Sequence, residues 1–352
     1  MPELFIISDS WNKLPWYSTG GTREKMYLQS PDGDFYYFKR SQLKPGKDYR
    51  YEFWGEVIAY EIGVLLGFEV LRYDIAIYKD VMGCISKSII DSEESELIEG
   101  VKYLQSFAPN YNPRIKEHQN RYTFDLIKNS LEKAGLKAFM PRIVETIVFD
   151  SLIGNGDRHQ ENWAFINRLR PMLEIIDELD STGELNKFNR FIKWILAWLR
   201  KEMKKSKEKG ERLPKILHVP EVRFAPIYDS GSSLGRELLN ERVDVLLNSE
   251  EELRRYVNNG KAEIHWGNKK LTHFELLREL LQSEYRASVK ESITRILERW
   301  NGPGIEKIIH EVDHLVPGSH NSYKIPDNRK RLIVKILTLR LQRLEITLHE
   351  GI

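Results

Sequence analysis

The sequence predicts an α+β fold of two lobes, a small β-rich one over residues 1–90 and a larger helical one over 91–352. Three observations carry this. Up to about residue 90 the apolar residues fall in short strand-like runs broken by turn signals, with one helix among them. Beyond about residue 91 the apolar spacing becomes helical. And 352 residues with 41% apolar and 11% aromatic content can bury a core large enough for two lobes.

The elements follow in order. Lys25–Gln29 and Phe35–Arg40 flank Ser30-Pro-Asp-Gly-Asp34, a hairpin around a Pro-Asp-Gly turn. From Tyr51 to Leu66, Phe53, Val57, Ile58, Ile62, Leu65 and Leu66 recur at helical spacing, and Gly67 suits the stop, so an amphipathic helix is expected. Val70–Ile77 and Met82–Ile89 read as two further strands. Phe124–Ala134 and Pro141–Leu152 are helical by periodicity, the second opening on a proline where the missing N–H costs nothing. Phe188–Leu199 reads as an amphipathic helix, followed by a solvated basic run to Arg212; the two form an insertion expected at about 168–220. Asn328–Leu348 carries an apolar stripe of Leu332, Ile333, Ile336, Leu337, Leu341 and Leu344.

Composition excludes several classes. Fifty-four Lys and Arg against 52 Asp and Glu give a formal net charge of +2, so overall charge argues neither for a nucleic-acid coat nor for an acidic tail. The single cysteine, Cys84, rules out an internal disulfide framework and reads as a small buried residue between Gly83 and Ile85. No basic segment followed by an apolar stretch opens the chain, and no unbroken apolar run is long enough to span a bilayer, so a cytoplasmic protein is expected. His310 and His314 are four residues apart but lack the glutamate of a His-Glu-x-x-His site, and are expected at the surface.

The chemistry-bearing stretch is Ile153-Gly-Asn-Gly-Asp-Arg-His-Gln-Glu-Asn162, which ends an apolar run and presents Asp157 and Asn162 five residues apart. Transfer of a phosphoryl group from ATP needs a carboxylate that orients the acceptor hydroxyl and takes its proton, and an amide oxygen a few residues on that holds magnesium. Alone this spacing is an ordinary polar loop; its partners decide. Lys39, at the end of the Phe35–Phe38 strand, can hold a cation over the phosphates if a glutamate on the following helix fixes it. Glu56 is the candidate, and Glu52 and Glu61 compete with it. Gly20 and Gly21, in Ser18-Thr-Gly-Gly-Thr-Arg-Glu-Lys25, let backbone N–H groups approach phosphate oxygens. Asp229, in Phe224-Ala-Pro-Ile-Tyr-Asp-Ser-Gly231, ends a strand and is followed by small residues, as a magnesium-binding carboxylate would be.

Residues 143–165, reading IVETIVFDSLIGNGDRHQENWAF, together with APIYDSG at 225–231, resemble the kinase core of the HipA-type serine/threonine kinases, toxins of bacterial toxin–antitoxin pairs. The Ser18–Lys25 turn and the Gly55–Gly67 helix fit the same pattern. The resemblance implies a bilobal fold of the protein-kinase and phosphatidylinositol-kinase type, with ATP and Mg2+ as cofactors. It implies Asp157 as base, Asn162 and Asp229 as magnesium ligands, Lys39 as the ATP lysine and Glu56 as its partner. A protein Ser or Thr is the implied acceptor, Ser18 the implied site of self-phosphorylation, and a HipB-like DNA-binding antitoxin the implied partner. Two departures stand out: the chain starts almost at the Gly-rich loop, where full-length HipA carries a further domain, and the gap from Asn162 to Asp229 is longer than in ordinary protein kinases.

Two rivals follow from the same residues. Asp-Arg-His-x-x-Asn also occurs in similar form in phosphatidylinositol kinases, and the Trp194 and Trp198 face of the insertion could lie on an anionic membrane. A kinase-like scaffold without chemistry is the other.

Overall fold

The computed structural model describes residues 1–14, 25–41, 43–44, 47–90, 95–171 and 218–350, with Glu178, Trp198 and Lys201 as isolated positions. Ser18, Gly20 and Gly21 lie outside the described residues, and so does nearly all of the expected 188–212 helix and basic run. The chain divides into two compact units, one of residues 1–89, 99–164 and 225–352, the other of 90–98 and 165–224.

The first unit opens with a six-stranded sheet. Its strands are β1 (Leu4–Ile7), β2 (Asn12–Lys13), β3 (Lys25–Gln29), β4 (Phe35–Arg40), β7 (Asp74–Tyr78) and β8 (Val81–Lys87), in the order β1-β7-β8-β4-β3-β2; β5 (Leu43–Lys44) and β6 (Lys47–Asp48) pair separately. The expected hairpin is β3–β4, closed by the Ser30 N–H on the Asp34 carbonyl at 2.8 Å, with Gly33 at φ +90° where a side chain would be strained. Its register places Lys25 opposite Lys39. The next two strands are shorter than the sequence suggests. Val70 makes only an isolated bridge to Ile227, and the β7–β8 turn at Lys79 and Asp80 takes positive φ at both positions, the geometry a two-residue hairpin requires. β1, which the sequence reading did not anticipate, lies parallel to β7. One face of this sheet buries Ile7, Leu28, Phe38, Ala76 and Ile85.

Helix α1 (Glu52–Leu66) ends where expected, at Gly67 with φ +77°, the Phe68 N–H reaching back to the Gly63 carbonyl at 2.8 Å. Five of its six stripe residues are buried, and burial extends further round the helix. Phe53, Trp54, Val57, Ile58, Ala59, Ile62 and Leu66 are all buried, and so are Glu52 and Glu56, because the helix packs on β8 and on two helices of the larger lobe. A helix with an apolar stripe and buried acids needs partners for those acids, and they belong to the site.

The helical lobe comprises α2 (Gly100–Phe107), α3 (Phe124–Lys133), α4 (Met140–Ile153), α5 (Asn240–Asn248), α6 (Glu250–Asn259), α7 (His273–Leu281), α8 (Arg286–Arg299), α9 (Gly302–Glu311) and α10 (Asp327–Glu350). The 24-residue α10 contacts α4 and every helix from α5 to α9, burying Leu332, Ile333, Ile336, Leu337 and Leu344 of the expected stripe. His310 and His314 are exposed. In the second unit β9 (Ser95–Glu99), β10 (Ala164–Pro171) and β11 (His218–Phe224) form a three-stranded sheet in the order β11-β10-β9, with β10 and β11 antiparallel from Phe165↔Phe224 to Pro171↔His218. After residue 91 the sequence suggests helices and one strand ending at Asp229; β11 ends instead at Phe224, with only an isolated bridge from Ile227 to Val70 beyond it, and β9 and β10 are not foreseen. Among the described residues no helix is long and apolar enough to cross a membrane.

Candidate active site

Lys39 leaves the end of β4 towards α1 and is 4% exposed, so its charge must be paired. Its Nζ contacts Glu56 Oε1 and lies 2.5 Å from Asp229 Oδ1. Glu56 Oε2 accepts the Ser230 N–H at 2.6 Å, so one helix carboxylate holds both the lysine and the backbone next to Asp229. The three candidate glutamates are thereby separated. Glu52 pairs with Arg236, whose guanidinium also lies 4.6 Å above the Tyr49 ring, and Glu61 pairs with the N-terminal amine at 2.9 Å. A second cation joins the group: Lys25, opposite Lys39 in the hairpin, lies 3.7 Å from Asp229 Oδ2. Among the described residues two lysines and two carboxylates make up this cluster.

Asp229 itself has φ +55°, a conformation that aspartate tolerates better than most side chains and that the surrounding contacts must hold. Its N–H donates to the Tyr73 hydroxyl at 3.4 Å. Burial, then the charges of Glu56 and Asp229, pushes the Tyr73 phenol well above its usual pKa, so it stays neutral. The turn that follows lies tight under α1: a Cβ on Gly231 would come 2.9 Å from Glu56 Oε1, and one on Gly55 would come 3.0 Å from the Gly231 carbonyl oxygen.

The Asp157 loop begins where α4 stops at Gly154, φ +73°. Arg158, 3% exposed, organises it. Its Nε and Nη2 both donate to the Asp150 carboxylate at 2.8 Å, a two-point match of guanidinium to carboxylate. Burial works against its charge, but the attraction of Asp150 prevails and the guanidinium pKa is raised. The remaining donors reach the Asn162 carbonyl at 2.8 Å, the Tyr228 carbonyl, and Ser230 Oγ at 3.2 Å. One side chain therefore ties Asn162 to the residues on either side of Asp229. Within the loop Asn162 Nδ2 donates to the Asp157 carbonyl at 2.7 Å, leaving its Oδ1 as the amide's acceptor atom. His159 Nδ1 accepts the Glu161 N–H at 3.2 Å, which supports the loop from within. Asp157 is half-buried, and its Oδ2 accepts a hydrogen bond from Ser232 Oγ at 3.0 Å.

Lys39, Glu56, Asp157, Asn162 and Asp229 thus belong to one connected cluster, joined through Glu56, Arg158 and Ser232. Gly20, Gly21 and Ser18 fall outside the described residues. The sequence reading left the part of Arg158 open and did not single out Asp150, Tyr73, Ser232 or Lys25. Lys25 was within reach, since a hairpin centred on residue 32 pairs positions 25 and 39. The donors suit magnesium, a hard cation that takes carboxylate and amide oxygens and keeps part of its water shell, with Asp229 and Asn162 as the residues to hold it. Among the described residues no group of three or more His, Cys, Asp or Glu could hold a metal.

No family model and no curated protein matches the chain. Solved structures do. The crystal structure of a Helicobacter pylori proinflammatory kinase, CtkA, superposes with a TM-score of 0.69 at 16% identity, over 99% of this chain and 98% of that one. The Shewanella oneidensis MR-1 toxin–antitoxin complex of HipA, HipB and operator DNA gives 0.45 at 13%, over 96% of this chain and 66% of that one. The first establishes the fold as α+β and kinase-like, with a β-sheet lobe and a larger helical lobe.

Proposed function

We propose that the chain is an ATP-dependent kinase that transfers the γ-phosphate to a protein Ser or Thr hydroxyl. The observation that carries this is the contact of buried Lys39 with both Glu56 and Asp229, with the Asp229 turn bound to the Asp157–Asn162 loop through Arg158. A structural neighbour described as a kinase supports the same reading. Asp157 accepts the hydroxyl proton as the acceptor oxygen attacks the γ-phosphorus and the bond from that phosphorus to the oxygen of the departing ADP breaks. Lys39 and Lys25 attract phosphate oxygens, and Asn162 and Asp229 would hold a magnesium ion. Such an ion would supply positive charge against the phosphate. Because these groups are fixed before reaction, most of the acceleration comes from positioning and charge stabilisation. Self-phosphorylation at Ser18 and a HipB-like antitoxin partner extend the proposal along the same resemblance.

The test is incubation of the purified chain with radiolabelled ATP and a Ser/Thr protein acceptor, and in parallel with phosphatidylinositol vesicles, followed by mass spectrometry of labelled residues. Label on protein Ser or Thr is expected; label on lipid alone would replace protein by lipid as the substrate. Asp157→Ala is expected to abolish transfer while the protein stays folded and binds ATP. Asp229→Ala is expected to lose magnesium-dependent ATP binding in calorimetry.

A further inference from the structure

We infer that Ser232 is a positioning residue that fixes the plane of the Asp157 carboxylate, and that through it the orientation of the base depends on where α1 stands. The inference rests on the phosphotransfer proposal and gives a part in it to a residue beyond Lys39, Glu56, Asp157, Asn162 and Asp229.

The Ser232 hydroxyl donates to Asp157 Oδ2 at 3.0 Å from a turn fixed on both sides. Upstream, Ser230 N–H is held by Glu56, and Gly231 is packed so closely against α1 that a Cβ there would come 3.1 Å from the Glu52 carbonyl oxygen. Downstream, Ser233 Oγ donates to the Ser230 carbonyl at 2.6 Å, and the Leu234 N–H donates to the Ile153 carbonyl at 3.0 Å. Ile153 is the last residue of α4, four before Asp157. The turn therefore bridges the helix that carries Glu56 and the helix end that launches the base.

An aspartate at a loop position can rotate about its side-chain torsions, and a base whose oxygen is misdirected abstracts the acceptor proton poorly. Holding Oδ2 fixes the direction in which Oδ1 faces. A shift of α1 that loosened Glu56 from Ser230 would move the same turn, and with it the hydroxyl on Asp157. Proper seating of the ATP lysine and proper aim of the base are then linked through four consecutive residues, Ser230 to Ser233.

The experiment compares Ser232→Ala, Ser232→Val and Ser232→Thr in the full chain, with steady-state transfer from ATP to casein and ATP affinity measured by calorimetry. Ala and Val are expected to lower kcat about ten- to a hundredfold, the worth of one hydrogen bond to a charged group, with KM for ATP unchanged. Thr keeps the hydroxyl and is expected to stay within a few-fold of wild type. Equal losses in Thr and Val would make Ser232 a packing residue and overturn the inference, as would wild-type kcat in Ala. Phosphate found on Ser232 itself would also overturn it, making the hydroxyl an acceptor. In each of these cases transfer by the wild-type chain leaves the phosphotransfer proposal standing, whereas no transfer by the wild type to any acceptor ends both.

Discussion

Arg158 decides more of this site than any single carboxylate. Its five donors are spread over Asp150, Asn162, Tyr228 and Ser230, the last two on a segment some seventy residues away in sequence. Replacing it by methionine would leave the Asp150 charge, 3% exposed, without its counter-ion, and stability is expected to fall by about 3–5 kcal/mol. Arg158→Lys keeps the charge but not the planar fork, so it is expected to fall between wild type and Met. Urea unfolding of the two variants measures this. The difference between what was and was not legible at this scale is physical. Asp157, Asn162 and Asp229 could be named because a reaction dictates their types and spacing. Arg158 could not be assigned, because a buried guanidinium is defined by its acceptors, and here two are backbone carbonyls without a sequence signature and a third is a serine some seventy residues away. Glu56 was likewise undecided. Glu52 stands one turn away on the same face of α1, and only the positions of β4 and Arg236 separate the two.

Among the elements, α1 is the one whose position the chemistry needs, and Gly55 is where it meets the Asp229 turn. Alanine there would gain about 1 kcal/mol in helix propensity but set a Cβ 3.0 Å from a backbone oxygen, and overpacking of this kind costs about 1–3 kcal/mol. The clash wins. Gly55→Ala is expected to lower stability by no more than about 2 kcal/mol, yet to reduce turnover severely, because the turn it displaces carries Asp229; thermal melts and transfer assays on the same preparation separate the two effects. Elements with local signals were legible. The β3–β4 hairpin has its Pro-Asp-Gly turn, and α3, α4 and α10 have long periodic stripes. β1 was not, because four residues that pair with a strand seventy positions later leave no local pattern. The same holds for β10 and β11, whose mutual pairing spans a stretch of more than forty residues.

At the scale of the whole molecule, α10 joins the helices of the larger lobe, and it brings a charge into their midst. Arg340 is buried, and burial draws its guanidinium pKa down to about 10, still charged at neutral pH. It donates to the Ser151 carbonyl at 2.8 Å, at the negative end of α4 just before the Asp157 loop. His273, at the start of α7, is buried beside it. Burial, and then the Arg340 charge, holds that imidazole well below its usual pKa, so it is neutral in the folded chain. An unfolded chain takes up a proton there near pH 6.5 while the folded one does not. Stability is therefore expected to be intact above pH 6.5 and to decline as the pH falls below it, by about 1.4 kcal/mol per unit until the folded pKa is reached. His273→Gln is expected to flatten that part of the profile, as followed by denaturation between pH 7 and pH 5.

The pairing of Lys25 with Lys39 depends on residues that take no part in the Asp229 cluster. Side chains of a strand point alternately to its two faces, so dropping one residue from the Ser30–Asp34 bend would either slide β3 past its neighbour or turn one lysine away from Asp229. The length of a solvent-facing loop, with no reactive atom in it, is thus a condition for two ammonium groups to converge on one carboxylate.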